Sequence, residues 1–329
     1  MKRIGVNGFG RIGRYFTRMA LLDPQVEVAV VNDLADIQTL AHLLKYDSVH
    51  RRLPLDFEIA GNRLVFSNGK MIEFTSHRNP EEIPWSNYNV DIVLESTGIF
   101  RSRELASKHF VGGTPRVIIS APAKDADIPT VVLGVNDEVI DTNPAIISNA
   151  SCTTNSAAPM VKIIHDLCNI SSAFITTVHS YTSDQRLHDA PHSDLRRARA
   201  AAESIVPTTT GAAKALARIF PDLEGKIGGC GIRVPVPDGS ITDLTLIVDN
   251  PPTVEEINKA MKDASEGSLK GIMEYTEDPV VSVDIVGNPH SCIFDAQLTS
   301  VIGNMIKIMG WYDNEAGYSN RLLDLVKKL

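Results

Sequence analysis

The sequence has few cysteines, and their spacing excludes two common roles. Four occur in 329 residues, Cys152, Cys168, Cys230 and Cys292, and no two of them form a CxxC pair. Disulfide frameworks belong mainly to short secreted chains that are far richer in cysteine. The spacing is also unlike that of the cysteine ligands in structural metal sites. We therefore expect four reduced thiols, no disulfide and no metal site.

The chain has no apolar run long enough to cross a bilayer, and its first residues, MKRIGVNGFGRIGR, are unlike a signal peptide. Its hydrophobic content of 43% and charged content of 22% are typical of a folded globular protein rather than a disordered one. The formal net charge of -8 disfavours nucleic acid or an anionic membrane surface as the main partner. We expect a soluble, cytoplasmic protein without a membrane partner.

Short β-branched runs alternate with helical patterns through the first half of the chain. The runs cover residues 4–6, 26–31, 91–94 and 117–119, and small or polar residues follow them. This alternation predicts an α/β fold with a Rossmann-type, doubly wound parallel sheet and helices on both faces. Ligands bind beyond the carboxyl ends of the strands in such sheets, which is where these polar residues lie.

The second half has a different pattern, and a length of 329 residues favours two domains. A helical segment follows residue 155, and a final helix is predicted from residue 316 onward. The apolar runs between them are typical of longer strands and lie at residues 172–178, 232–236, 244–248, 280–286 and 300–309. The pattern predicts an α+β domain with a mixed or antiparallel sheet.

Gly8, Gly10 and Gly13 form the pattern GFGRIG directly after the first predicted strand. One glycine allows a tight turn, one lets a pyrophosphate approach the backbone, and one lets helix and strand pack closely. The pattern alone is also compatible with a purely structural turn. Asp33 closes the second strand 20 residues after Gly13, where a carboxylate binds ribose hydroxyls and repels a 2′-phosphate. Together they predict dinucleotide binding, with NAD favoured over NADP.

Cys152 differs from the other cysteines because it stands among hydroxyls and amides, in SNASCTTN, just before a helical stretch. The other three fit the common role of a small buried residue. A helix N-terminus stabilises a thiolate, so Cys152 is the candidate nucleophile. His179 ends a predicted strand in TTVHSYT and is either a structural histidine or the acid/base partner of the thiol. Spacing alone leaves both interpretations open.

Eight blocks of the sequence resemble the phosphorylating glyceraldehyde-3-phosphate dehydrogenase family. They occur in the family's order and span essentially the whole chain: GVNGFGRIGR, VVND, ESTG, SNASCTTN, TTVHSYT, DLRRARAAAESIVPTTTGAAKA, RVPVP and WYDNE. SCTTN followed by HSYT is far more specific than the glycine pattern. The resemblance implies an NAD-dependent oxidoreductase of glycolysis or gluconeogenesis, which converts D-glyceraldehyde 3-phosphate and inorganic phosphate to 1,3-bisphosphoglycerate.

The resemblance also implies an organisation. It places an NAD-binding domain at residues 1–150 and a catalytic domain at residues 151–315, with the C-terminal helix, residues 316–329, packed back on the first domain. It implies a homotetramer in which residues 180–199 form a loop near the cofactor site of a neighbouring subunit.

In the implied mechanism Cys152 attacks the aldehyde, and His179 removes the hydroxyl proton as hydride leaves for the nicotinamide. Phosphate then attacks the resulting thioester. The positions implied to bind NAD are Gly8, Gly10, Arg11, Ile12, Gly13, Asp33, Arg78, Thr97, Ser120 and Asn314. Those implied to bind phosphate are Thr182 and Arg233 for the C3 phosphate, Ser151, Thr153, Thr210 and Gly211 for the attacking phosphate, and Arg197 near both. Hydroxyls, backbone N–H groups and guanidinium groups are suitable donors to these anions.

The sequence departs from the family pattern at several positions. Ser156 stands where the family has a second cysteine, Ala316 where it has tryptophan, and Arg51 where it has glycine. The Ala316 substitution is expected to loosen the packing around Asn314. Pro191 favours NAD, whereas the preceding alanine leaves some use of NADP open.

Two alternative functions are considered, one a related enzyme and the other a binding protein without catalytic activity. Erythrose-4-phosphate dehydrogenase shares the Cys/His chemistry but uses phosphate weakly, and the block TTTGAAKA disfavours it. A catalytically retired NAD-binding or RNA-binding protein is suggested by the basic run LRRARA, although short charge runs are usually solvated surface. The presence of Cys152, His179 and both sets of anion-binding residues argues against retirement.

Overall fold

The structure is a computed structural model that describes all 329 residues. The chain divides into two compact units. The first unit consists of Met1–Val131, Asp137–Ala150 and Ser319–Leu329, and the second of Val132–Asn136 and Ser151–Tyr318. No helix has both the length and the apolar character needed to cross a membrane.

The first unit contains ten strands and four helices. The strands are β1 (Lys2–Asn7), β2 (Val26–Asn32), β3 (Tyr46–Asp47), β4 (Arg51–Arg52), β5 (Phe57–Ala60), β6 (Arg63–Phe66), β7 (Met71–Thr75), β8 (Ile92–Glu95), β9 (Val117–Ile119) and β10 (Ile146–Ser148). The helices are α1 (Arg11–Leu22), α2 (Ile37–Lys45), α3 (Arg103–Ser107) and α4 (Glu138–Asp141).

Eight of these strands form one sheet in the order β10-β9-β8-β1-β2-β7-β6-β5. The pairs from β10 through β7 are parallel, and β5 and β6 extend the sheet as an antiparallel hairpin. Strand β8 is buried at all four residues, as expected for a parallel strand covered on both faces. The strand order reverses between β1 and β8, so the predicted Rossmann-type, doubly wound sheet is confirmed.

The second unit is built on a mixed sheet. Its helices are α5 (Cys152–Cys168), α6 (Ala212–Ile219) and α7 (Val254–Glu266). Its strands are β11 (Ile170–Ser180), β12 (Val206–Thr208), β13 (Ile227–Val234), β14 (Ser240–Val248), β15 (Met273–Thr276), β16 (Cys292–Asp295), β17 (Ser300–Ile302) and β18 (Met305–Tyr312). The last helix, α8 (Ala316–Lys328), begins in the second unit and continues into the first.

The second sheet has the order β12-β13-β11-β14-β18-β16-β15, with β17 paired to β18. β11 runs parallel to β13, and β15 runs parallel to β16, whereas the other pairs are antiparallel. The predicted mixed sheet is confirmed. Ile175, Leu244 and Ile308 lie in register on one face of β11, β14 and β18 and are fully buried. Helix α5 packs against β14, β16 and β18.

The strand predicted over residues 280–286 is wrong. Residues Ser282–Ile285 form a 3-10 turn, in which the Asp284 carboxylate accepts a hydrogen bond of 2.8 Å from the N–H of Val281. Val281 and Val283 are exposed, so their β-branched side chains do not form a strand face. This local side-chain bond replaces the ladder bonds of a strand.

Candidate active site

The glycine turn of the first unit has the geometry of a ligand cradle. Gly8 follows β1 with a φ of 92°, and a Cβ there would lie 2.7 Å from the backbone nitrogen of Thr97. A Cβ on Gly13 would lie 2.2 Å from the Gly8 carbonyl oxygen. At Gly10, in contrast, no atom lies within 4 Å of the Cβ position, so the turn is open on that side. The two outer glycines are required by packing, and the middle one leaves room for a bound group.

Helix α1 begins directly after this turn. Gly10 is its N-cap residue, and no side chain caps the helix. The positive end of the helix dipole therefore lies at this turn, which favours an anion there. The Arg11 side chain makes a bidentate contact of 2.6 and 3.1 Å with Asp47. Burial opposes ionisation of Asp47, but bonds from Arg11 and two backbone N–H groups outweigh it and lower its pKa to about 2.

The other predicted cofactor residues of this unit follow the carboxyl ends of parallel strands. Asp33 follows β2, and its two carboxylate oxygens accept bonds from the N–H groups of Phe9 (2.7 Å) and Ala35 (3.0 Å). The strands β7, β8 and β9 are followed in the same way by the exposed Arg78 and the half-buried Thr97 and Ser120. The structure thus brings these residues to the sheet edge that carries the glycine turn.

Cys152 is the first residue of α5 in the second unit. The N-cap residue Ser151 accepts a hydrogen bond of 3.1 Å from the N–H of Thr154, which fixes the start of the helix. His179 lies near the end of β11 and is 6% exposed. The Cys152 Sγ is 3.5 Å from the His179 Nε2. The predicted nucleophile and base are therefore in contact, which their separation in sequence could not establish.

Burial and one cation determine the protonation of this pair. Burial raises the pKa of the Cys152 thiol, although Arg233 and hydrogen bonds from Thr153 oppose the rise. Burial, and next the Arg233 guanidinium, lower the pKa of His179 to about 3. Both shifts disfavour charge on the two groups.

Arg233, one of the predicted phosphate-binding residues, lies against His179 on the neighbouring strand β13. Val206, Arg233 and His179 lie in register on the adjacent strands β12, β13 and β11. The Arg233 Nη1 is 2.7 Å from the His179 Nδ1 and 3.0 Å from the Ser180 carbonyl oxygen. That carbonyl oxygen is itself 2.7 Å from the His179 Nδ1.

The loop after β11 holds a carboxylate where the resemblance implies a phosphate. The Asp184 carboxylate accepts hydrogen bonds from the Thr182 hydroxyl and from the Arg197 guanidinium. Arg197 also donates a bond of 2.9 Å to the Thr208 hydroxyl. Two of the predicted phosphate-binding side chains are thus gathered around an anionic group already.

The residues predicted for the attacking phosphate lie at the N-termini of two helices. Thr210 and Gly211 precede α6, Gly211 is its N-cap residue, and the Thr210 hydroxyl oxygen accepts a bond of 3.2 Å from the first N–H of the helix, that of Ala212. The Thr153 hydroxyl is 2.9 Å from the Tyr312 hydroxyl, which is also 2.8 Å from the Thr177 hydroxyl. The Tyr312 ring meets the His179 ring edge to face at 5.9 Å.

Asn314 is buried in the second unit with its amide orientation fixed. Its Oδ1 accepts hydrogen bonds of 2.8 Å from the hydroxyls of both Ser180 and Ser240. The Ser240 hydroxyl oxygen also accepts a bond of 3.1 Å from the Ser180 N–H. Because two donors occupy the amide oxygen, the amide NH₂ is the group left to bind a ligand.

Sequence reasoning missed four residues of this site: Ser180, Asp184, Ser240 and Tyr312. Three of them stand inside or beside the quoted blocks TTVHSYT and WYDNE, so their proximity to His179 and Asn314 was a usable signal. Ser240 had no such signal, because its role depends on the pairing of β14 with β11 and β18.

Comparison with known proteins agrees with these observations. Residues 2–103 match the family model "Glyceraldehyde 3-phosphate dehydrogenase, NAD binding domain", and residues 151–314 match the corresponding "C-terminal domain". The chain is 55% identical to glyceraldehyde-3-phosphate dehydrogenase 2 of Streptomyces avermitilis, over 98% of this chain and 97% of the relative. It is 55% identical to glyceraldehyde-3-phosphate dehydrogenase of Geobacillus stearothermophilus, over 98% and 96%. Identity to the Mycobacterium avium enzyme of that name is 53%, over 98% and 97%.

Proposed function

The chain belongs to the glyceraldehyde 3-phosphate dehydrogenase family, and from that premise we propose that Cys152 and His179 perform its NAD-dependent oxidation of glyceraldehyde 3-phosphate. The observation that carries the assignment is the distance of 3.5 Å between the Cys152 Sγ and the His179 Nε2. A thiol in contact with a buried imidazole has the partner that a nucleophile requires.

The chemistry follows from this contact. The sulfur of Cys152 forms a bond to the aldehyde carbon as its S–H bond breaks, and the thiol proton passes by way of His179 to the aldehyde oxygen, which becomes the hydroxyl group of a thiohemiacetal. Bound NAD supplies the hydride acceptor. His179 takes the hydroxyl proton as the C–H bond breaks, leaving a thioester on Cys152. Inorganic phosphate then attacks the thioester carbon and the C–S bond breaks. His179 returns its proton to the departing sulfur and the phosphate loses its own proton to solvent, so 1,3-bisphosphoglycerate and the free thiol are formed.

The first unit fits NAD. The open side of the turn at Gly10 and the uncapped start of α1 suit a pyrophosphate, which agrees with the predicted contacts of Gly8, Arg11, Ile12 and Gly13. The Arg11 guanidinium binds Asp47 at the start of the same helix. Asp33 has carboxylate lone pairs left for ribose hydroxyls. We assign Arg78, Thr97 and Ser120 to the same cofactor, and the Asn314 NH₂ to the nicotinamide carboxamide.

We assign Thr182, Arg197 and Arg233 to the C3 phosphate of the substrate. Arg233 forms no salt bridge with a carboxylate, and the other two side chains bind the Asp184 carboxylate. A phosphate dianion is a stronger acceptor than a carboxylate and would compete for the same donors. Ser151, Thr153, Thr210 and Gly211, at the starts of α5 and α6, are assigned to the attacking phosphate.

The finer organisation is proposed on similar grounds. We assign NAD binding to residues 1–150 with the C-terminal helix, and catalysis to residues 151–315. A homotetramer is supported by the outward face of the second sheet, where Val178, Ile241 and Trp311 form an in-register apolar row and the exposed Phe174 lies further along β11 on the same face. Four cysteines without a disulfide are compatible with the reducing cytoplasm.

A steady-state assay of the purified protein tests the function. It compares glyceraldehyde 3-phosphate with erythrose 4-phosphate, NAD with NADP, and phosphate with no phosphate. We expect the highest kcat/KM for glyceraldehyde 3-phosphate with NAD, and sustained turnover only when phosphate is present. A higher kcat/KM for erythrose 4-phosphate, or no activity at all, would contradict the proposal.

Alkylation tests the nucleophile separately. Iodoacetate should inactivate the enzyme by modifying Cys152 before Cys168, Cys230 or Cys292, because only Cys152 has an imidazole nitrogen at its sulfur. Peptide mapping that finds inactivation with Cys152 unmodified would reject the assignment.

A further inference from the structure

Four neighbouring parallel strands of the first unit each end in a polar residue, and the four side chains form one hydrogen-bonded row. The last residues of β7, β2, β1 and β8 are Thr75, Asn32, Asn7 and Glu95. The Asn7 Nδ2 donates a bond of 2.7 Å to the Glu95 Oε2, and the Asn32 Nδ2 donates one of 2.9 Å to the Asn7 Oδ1. The Thr75 hydroxyl donates a bond of 3.0 Å to the Asn32 Oδ1. The two amides and the carboxylate are at most 3% exposed, so they depend on protein partners.

The direction of the bonds in this row is set at its two ends. At one end the Glu95 carboxylate accepts, so Asn7 turns its NH₂ toward Glu95 and its oxygen toward Asn32. At the other end the N–H of His77, the residue before Arg78, donates a bond of 2.8 Å to the Asn32 Oδ1. Asn32 therefore turns its NH₂ toward Asn7. The two ends agree, and reversing either amide would set two donors or two acceptors against each other.

The strand ends that form the row continue directly into residues assigned to NAD. Asn7 is followed by Gly8 of the glycine turn, and Asn32 is followed by Asp33. The Gly8 N–H donates a bond of 2.9 Å to the Asn32 carbonyl oxygen, and the Asp33 N–H donates one of 3.1 Å to the Thr75 carbonyl oxygen. The backbone that carries the turn and the ribose-binding carboxylate is thus bonded to residues of the row.

We propose that Glu95 is a positioning residue for the adenosine half of NAD and acts through the Asn7 and Asn32 amides. This inference rests on the cofactor binding of the proposed function. The oxygens of Glu95 already accept four bonds from protein groups, so its effect on the cofactor is indirect. By fixing the direction of the two amides, it holds in place the segments that carry Asp33 and Arg78.

The variant Glu95→Gln separates bond direction from packing, because it replaces one oxygen by an NH₂ of similar size. The Thr97 N–H and hydroxyl both donate to the Glu95 Oε1, so the glutamine oxygen remains at that position. The new NH₂ then faces the NH₂ of Asn7, and two donors oppose each other. If Asn7 turns over to accept, Asn32 must turn as well, and its NH₂ then faces the His77 N–H. The conflict therefore reaches the adenosine side of the site.

We expect Glu95→Gln to raise the Kd of AMP, which contains only the adenosine end of the cofactor, about tenfold, because buried donors lose their acceptors. The Kd and KM of NAD should rise by a similar factor, whereas kcat at saturating NAD should change less. Isothermal titration calorimetry measures the binding of both ligands. Glu58→Gln is the matched control, because it removes an exposed carboxylate from β5 at the edge of the same sheet.

Asn7→Asp provides a matched reversal. Alone, it sets a second carboxylate against Glu95 and should also weaken the binding of AMP. Combined with Glu95→Gln, the aspartate accepts from the glutamine NH₂ and still accepts from Asn32, so the Kd of AMP should return to within about threefold of the wild type. The His109 Nε2–H continues to face the glutamine NH₂ in the double variant. The unfolding free energy should therefore recover less than the affinity, which separates positioning of the cofactor site from general stability.

Wild-type affinity for AMP in Glu95→Gln, or a double variant that binds AMP no better than the single variants, would overturn the inference. A loss of affinity for NAD but not for AMP would also overturn it, because the effect would then lie at Thr97. If these variants do not fold, Thr75→Val decides, since it removes only the last donor of the row and should raise the Kd of AMP about threefold. Failure of the wild type to bind NAD would instead reject the proposed function.

Discussion

Two histidines, one in each unit, are buried almost completely, yet their surroundings differ. His109 of the first unit has no exposed surface, and each ring nitrogen has one partner with one role. Its Nδ1 accepts a bond of 3.2 Å from the Trp85 Nε1–H, so its Nε2 carries the proton and donates to the Glu95 carboxylate at 3.0 Å. His179, in contrast, has a donor and an acceptor at the same nitrogen and a thiol at the other.

The difference separates a structural role from a chemical one. The hydrogen bonds of His109 assign its proton to one atom, and moving that proton would leave the Trp85 N–H without an acceptor and remove one donor from Glu95. The partners of His179 are compatible with a proton on either nitrogen. A buried imidazole with a fixed tautomer stabilises a core, whereas one with two accessible tautomers can transfer protons.

The largest expected effect comes from replacing His179 with glutamine. The amide of His179→Gln can form hydrogen bonds but cannot transfer a proton at neutral pH. We expect the rate of hydride transfer to fall by roughly two to four orders of magnitude, with NAD affinity and the thermal midpoint little changed. Stopped-flow NADH formation measures the rate. A loss smaller than about tenfold would mean that His179 is not the base.

The same replacement should behave differently at His109. The glutamine of His109→Gln can donate to Glu95 and accept from Trp85, so stability should be largely retained. His109→Leu leaves the Trp85 N–H unpaired and removes one donor from the buried Glu95 carboxylate, and should cost roughly 3 kcal/mol of unfolding free energy, measured by urea denaturation. Turnover at saturating substrates should persist in both variants, provided that they fold. Equal destabilisation by glutamine and leucine would show that ring packing, not hydrogen bonding, defines this position.

A third prediction extends the comparison to two carboxylates. Glu95 is saturated, because its oxygens accept bonds from Asn7, His109 and both the N–H and hydroxyl of Thr97. Asp33 accepts only two backbone N–H groups in this structure and keeps lone pairs for a ligand. Its charge should repel the 2′-phosphate of NADP, so NAD should be preferred at least about tenfold in kcat/KM, or ~1.4 kcal/mol.

The matched variant Asp33→Ala should shrink that ratio. Adding Pro191→Ser, which supplies a hydroxyl donor, should shrink it further. Equal efficiency with both cofactors in the unmodified enzyme would contradict the role of Asp33, whatever the variants show.

The sequence predicts an element of the site well where the pattern that determines it lies within a few neighbouring residues. The glycine turn and the strand that ends near His179 follow from spacing and residue type, as does a helix after SNASCTTN, although that helix begins at Cys152 and not after residue 155. The side-chain partners do not, because they depend on register between distant strands. Arg233 reaches His179 only through the parallel pairing of β11 with β13.

Two departures from the family pattern become interpretable in the structure. Arg51, which replaces a glycine, has a φ of 63°, a left-handed conformation that glycine adopts without the steric cost of a Cβ. Ala316, which replaces a tryptophan, is fully buried, and its N–H donates a bond of 2.7 Å to Asp313. The Asn314 amide is meanwhile held by Ser180 and Ser240, so its orientation does not depend on a tryptophan at position 316.

The smallest expected effect concerns the Asn314 amide, whose oxygen accepts hydrogen bonds from two serine hydroxyls. In Ser240→Ala the Asn314 Oδ1 keeps the Ser180 hydroxyl, and the loss should be about 1 kcal/mol, or a rise of roughly fivefold in the KM for NAD. Ser180→Ala should behave similarly. In the double variant the oxygen has neither donor, so the amide is free to turn and present the wrong group to the nicotinamide. The combined loss should then exceed the sum of the single losses by roughly 1 kcal/mol or more, as expected when one donor substitutes for the other. Strict additivity in steady-state assays with varied NAD would show that the two hydroxyls act independently, and that Asn314 is oriented by other contacts.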